Sequence, residues 1–165
     1  MIRSARFWKP VIAANTMIMM LILAVTVAGA AGPFELLNGS WSGAGSIKLD
    51  DGRTEGLKCK AYYSPRSGGA SMGLALRCAS ASNKIDLRAT LNSTGSRIAG
   101  SWEERTFNVN GSASGQAAGN AIKLAIDAGV LSGSMNVITN GKSQTISVRT
   151  DGTGLRGVNI NLNRD

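Results

Sequence analysis

The sequence predicts an all-β chain, an antiparallel up-and-down meander of about ten strands closed or nearly closed into a barrel, after an N-terminal signal segment. Three observations lead there. Beyond residue 38 apolar and polar residues alternate with period two; the alternating runs are short and separated by Gly, Asn, Asp and Ser clusters; no stretch carries the i, i+3, i+4, i+7 stripe of a helix. A meander left open would expose two strand edges, and closure removes both.

The first element is residues 1–30. Arg3, Arg6 and Lys9 precede an apolar run from Val11 to Val27, and Ala28-Gly29-Ala30-Ala31 follows with an A-x-A site. This is the three-part pattern of a secretory signal peptide. Val11 to Ala31 is also close to the ~20 apolar residues that span a bilayer, so an uncleaved anchor is the alternative. Asn15 and Thr16 shorten the apolar core and favour cleavage after Ala30. Cleavage removes three basic residues and lowers the net charge from +8 to +5. The expected organisation is a signal peptide over 1–30, a short linker over 31–38 and one barrel domain over 39–165; the expected compartment is periplasmic or secreted.

The strands follow in order at 40–49, 53–64, 71–80, 84–92, 96–103, 106–116, 120–127, 130–139, 142–150 and 155–163. Turn signals set their registers, because partners in a hairpin have residue numbers of constant sum. A three-residue loop Asp51-Gly52-Arg53 brings Ile47 opposite Leu57, where a two-residue turn would mismatch the faces. A turn on Gly68-Gly69 makes Cys59 and Cys78 direct partners, with Leu57, Ala61, Tyr63, Met72, Leu74 and Leu76 on their face. The next hairpin sets Asp86 opposite Arg77. Thr94-Gly95 places Leu87 opposite Trp102, and the following connection places Trp102 opposite Phe107. Ala128-Gly129 sets Ile122 opposite Met135, and Asn140-Gly141 sets Met135 opposite Ile146. Glycines recur on the apolar parity, where a missing side chain permits the curvature of a small barrel.

Directly opposed cysteines satisfy the Cα separation of a disulfide, and two cysteines in an exported chain most often pair. The alternative is two free core thiols. A redox or metal role fits less well, since the spacing is not C-x-x-C and the chain has no His.

Trp41-Ser42-Gly43-Ala44-Gly45-Ser46-Ile47-Lys48-Leu49-Asp50-Asp51-Gly52, Leu57-Lys58-Cys59-Lys60-Ala61-Tyr62-Tyr63, Leu76-Arg77-Cys78-Ala79-Ser80 and Ile98-Ala99-Gly100-Ser101-Trp102-Glu103 resemble a family of small exported alphaproteobacterial β-rich proteins of unknown function. That resemblance implies export and a shared cysteine pair, and no activity. Gly39-Ser40-Trp41 is similar to the G-x-W signature of the lipocalin and avidin group of calycin barrels, whereas their T-D-Y motif has no match, because Thr150-Asp151 is followed by Gly152.

The absence of His excludes Ser-His-Asp and Cys-His catalysis, His-ligated zinc and His-ligated haem. Glu103 and Glu104 are adjacent, so a strand points them to opposite faces, and alternation offers no inward carboxylate pair of the kind a glycosidase needs. No phosphate-cradling loop opens a helix. The expectation is a protein that is not an enzyme, with no cofactor, metal or catalytic residue. Lys58, Lys60, Arg77 and Arg88 share an outward face, a candidate contact for anionic envelope polysaccharide or lipid head groups; in an exported chain nucleic acid is not an expected partner. Those outward charges also argue against an outer-membrane barrel, so the cleaved chain is not expected to span a membrane. The functional expectation is a binding module for an apolar or amphipathic small molecule, with Trp41, Tyr63, Trp102 and Phe107 as its contact residues. The alternative is a structural or surface-interaction protein of the envelope whose barrel is packed solid.

Overall fold

The computed structural model of the protein describes residues 31–129, 131–152 and 154–165. The expected signal segment and its cleavage site before Ala31 lie outside the described residues, apart from Ala31 itself. Ten antiparallel strands follow one another around a closed barrel. They are β1 (Gly39–Leu49), β2 (Thr54–Arg66), β3 (Ser71–Ala79), β4 (Lys84–Thr94), β5 (Arg97–Glu104), β6 (Val109–Ala118), β7 (Ala121–Asp127), β8 (Leu131–Asn140), β9 (Ser143–Gly152) and β10 (Leu155–Arg164). The seam is β1 against β10, with Trp41 opposite Arg164 and Ile47 opposite Val158. No helix among the described residues is long and apolar enough to cross a membrane.

Curvature is localised where side chains are missing. A Cβ on Gly43 or Gly45 would collide with the carbonyl oxygens of Asn161 and Asn159 on β10, so only glycine lets β10 approach β1 this closely. Both glycines sit on the inward parity, opposite Cys59 and Leu57 of β2.

The registers divide into two groups. Cys59 faces Cys78 and Arg77 faces Asp86, as the turn signals predict. At four other hairpins the pairing is displaced by two residues. Met135 faces Val148 rather than Ile146, Leu87 faces Glu104 rather than Trp102, Ile122 faces Val137 rather than Met135, and Ile47 faces Glu55 rather than Leu57. At two of these hairpins the reason is the turn. Gly95 and Gly141 have positive φ and occupy the first loop position, followed by Ser96 and Lys142, so the loop begins one residue later than an X-Gly turn would place it. A displacement of two preserves the face of every side chain, which is why the inward set survives the shift.

Two departures change the site. Residues 105–108 form a four-residue connection, with Asn108 at positive φ, so Trp102 faces Gly111 and Phe107 lies in the loop rather than on a strand. The segment expected as a linker is part of the barrel: Glu35–Leu37 form a 3-10 turn, and Phe34 and Leu37 are buried in the core.

Candidate ligand-binding cavity

The two ends of the barrel are built differently. At the end carrying the β2–β3 and β8–β9 turns, the chain before β1 folds across the opening. Gly32 N–H donates to the Gly68 carbonyl at 2.7 Å and Phe34 N–H to the Gly69 carbonyl at 3.2 Å, tying the segment to the β2–β3 turn. Trp41, fully buried, donates from Nε1 to the Leu37 carbonyl at 2.8 Å and packs edge-on against Tyr63, with ring centroids 6.4 Å apart. The Arg164 guanidinium lies 4.6 Å over the Trp41 ring and donates to the Asn38 and Leu36 carbonyls, pinning the last strand to the plug. Tyr63 hydroxyl donates to Gln144 Oε1 at 2.6 Å, and Gln144 Nε2 donates to Thr139 Oγ1 at 3.2 Å. Every member of this chain is buried and hydrogen-bonded, so the apolar surroundings cost it little. Burial pushes the Tyr63 phenol well above its ordinary pKa.

The other half is hollow. An apolar cavity of about 510 Å³ runs from a base at Ile47, Ile146 and Ile160 to the end carrying the β3–β4, β5–β6 and β9–β10 connections. Leu74, Leu87 and Trp102 form one wall, and Ile126, Met135 and Val148 the opposite one. These six are only partly buried although their parity is inward, because no described segment packs between them. The Trp102 ring is held by an Nε1–H bond to the Ser112 carbonyl at 3.0 Å.

Among the described residues, polar side chains line the cavity only near its mouth, through Asn83, Glu104 and Thr150. Thr150 donates its hydroxyl to the Leu155 carbonyl at 2.6 Å. Glu104 Oε1 accepts from Asp86 N–H at 2.8 Å, and Oε2 accepts from Phe107 N–H at 2.6 Å. The carboxylate thereby holds the 105–108 loop and presents Phe107 at the rim, where the ring is 58% exposed while still lining the cavity.

Of the four aromatic residues singled out from the sequence, Trp102 and Phe107 meet at the cavity, whereas Trp41 and Tyr63 meet each other at the plugged end. Glu104 was not singled out, although a signal for it existed: it shares the parity of Ile98, Gly100 and Trp102. On the outer wall Lys58, Lys60, Arg77 and Arg88 do share the outward face of β2–β4, beside a shallow groove floored by Ser42, Ala44 and Ala79. Asp86 lies within 4.0 Å of Arg77, Arg88 and Arg105; Lys58 and Lys60 form no ion pair among the described residues. No cluster of three or more potential metal ligands occurs among the described residues.

Cys59 and Cys78 are bonded, with Cα atoms 4.1 Å apart, and no free cysteine is present among the described residues. A disulfide of this kind belongs to chains that mature outside a reducing cytoplasm.

No protein-family model matches this sequence, and no curated protein is significantly similar to it. Solved structures share its fold, among them the following two. Rv2717c from M. tuberculosis superposes with a TM-score of 0.62 at 14% identity, over 79% of this chain and 94% of that one. The S-type phycobiliprotein lyase CPES from Guillardia theta superposes with a TM-score of 0.56 at 14% identity, over 80% of this chain and 90% of that one. At such identity the likeness shows a common barrel fold and transfers no activity. It does correct one expectation. The inference that this chain is not an enzyme rested on missing side-chain constellations, and a barrel of the same fold bears the name of a lyase. Missing triads, carboxylate pairs and metal ligands exclude only the chemistries that need them, so that flat exclusion falls.

Proposed function

We propose that this protein is an exported binding barrel that holds one apolar or amphipathic small molecule in its open half, with Trp102 and Phe107 as the contact aromatics. The single observation carrying this reading is the partly buried inward wall around about 510 Å³, within the size range of small-molecule sites. A barrel serving only as a packed structural body has no use for that wall, since the same residues closed over a second plug would stabilise it. Trp41 and Tyr63 belong to the floor: they fix its shape and stand outside the contact set. The name of the neighbouring lyase adds bilin pigments to the compounds to be tried.

The test uses the mature chain with Nile red, dodecanol and a bilin. Occupancy changes the emission of Trp102 and raises Tm, by about 2.7 kcal/mol of added stability at a hundredfold excess over Kd. W102F removes the emission change and leaves Trp41 as a silent reporter. No change in emission or Tm with any of the three would overturn the reading.

The outward Lys58, Lys60, Arg77 and Arg88 face supports a second, weaker contact with anionic envelope polysaccharide or lipid head groups. Lys58 and Lys60 are its uncompensated charges. Retention on an anionic polysaccharide matrix that falls with salt and disappears in K58E/K60E is the expected result; retention unchanged in that variant rejects it.

A further inference from the structure

We infer that the cavity selects its occupant by head group, accepting neutral or cationic amphiphiles and rejecting carboxylates and other anions, with Glu104 as the selecting residue. The inference rests on the binding-barrel reading above. Its observation is the chemistry of the lining: among the described residues, no Lys or Arg lines the cavity, and Glu104 is its one ionisable side chain. An anionic head drawn into an apolar cavity needs a cation or several donors to replace its water, and this wall offers neither.

Glu104 is also fixed in place. Backbone donors from Asp86 on β4 and from Phe107 in the 105–108 loop each hold one carboxylate oxygen, so the carboxylate is positioned by backbone rather than left to swing. Each oxygen retains acceptor capacity for a donor arriving from the cavity. The nearby guanidinium groups do not cancel this charge from within: Arg88 and Arg105 lie on the outer face, where they contact Asp86 and Glu103. An anion therefore meets the Glu104 carboxylate at the mouth, whereas a hydroxyl or ammonium head finds an acceptor there beside the exposed Phe107 ring.

The experiment compares dodecanol, dodecyltrimethylammonium and dodecanoate at equal tail length, below their micelle-forming concentrations, by displacement of neutral Nile red. The expected ranking places the ammonium at or above the alcohol and the carboxylate about tenfold or more below both. E104Q narrows that difference, while E103Q, altered on the outward side of the same strand, leaves it intact. Dodecanoate binding as tightly as dodecanol overturns the head-group inference and leaves the binding barrel standing; so does an E103Q effect equal to that of E104Q. Failure of all three amphiphiles and of Nile red itself removes the binding-barrel reading, and this one with it. Should E104Q fold poorly, the wild-type ranking decides alone.

Discussion

The plugged and open halves of this barrel are made by the same strands with the same alternation, yet one is solid and the other hollow. The difference comes from outside the sheet. In the plugged half Phe34 and Leu37 fill the space between walls, and Trp41, Tyr63 and Gln144 close around them. In the open half no segment among the described residues plays that part, and Leu74, Leu87, Ile126 and Val148 face each other across the cavity. Strand patterning sets which side chains point inward; a non-strand segment decides whether the inside is core or cavity.

The sharpest way to break the comparison is to delete one tryptophan from each half. W41A is expected to cost about 3–5 kcal/mol, because the ring is fully buried and its loss leaves a hole. W102A, at a ring already partly exposed to the cavity, is expected to cost about 1–2 kcal/mol. Urea unfolding of the two variants measures both, and equal losses would mean that the open half is packed after all.

Removal of the disulfide comes next. C59S/C78S is expected to lose about 3 kcal/mol, given a closed loop of roughly 20 residues, with the midpoint shifting while far-UV circular dichroism remains that of a barrel. Labelling of either cysteine in unreduced protein would contradict the bond.

The division between what could and could not be read from the sequence follows from the same contrast. Period two reveals faces, so the inward set, the outward lysines and the Cys59–Cys78 pair were all legible. Register depends on whether a turn glycine takes the first or second loop position, and Asn140-Gly141-Lys142 permits either; hence the two-residue displacement. Phe107 was misplaced because its apolar character suits an inward strand position equally well, and only the Glu104 bond to its amide shows it to be loop. The plug was illegible for a different reason. A 3-10 turn of three residues carries no periodicity, and Phe34 and Leu37 gain meaning only from the opening they fill.

The smallest expected effect distinguishes the mouth loops. Glu55 accepts hydrogen bonds from Ser82 and Ser80, which hold its carboxyl below the usual glutamate range, with Arg53 adding a weaker attraction. A depressed folded pKa contributes stability that is present above the unfolded value and lost as pH falls through the folded one. Thermal scans between about pH 5 and pH 3 should therefore show a shallower decline in E55Q than in the parent chain. Identical slopes would mean that these bonds hold the β3–β4 loop without linkage to pH.

The β1–β10 seam gives the molecule an uneven folding problem. Nine of its ten strand pairings join neighbours along the chain, each closing a loop of a few residues, and these can zip successively. The tenth brings Trp41 to Arg164, so ring closure must await nearly the whole chain and then meets the largest loop entropy, which grows only with the logarithm of length. Until that moment β1 and β10 are open edges, the one interval in which two copies could exchange strands. A circular permutant that links Asp165 to the plug and opens a mouth loop instead would make the seam local; faster refolding and less strand-swapped dimer are the results to look for.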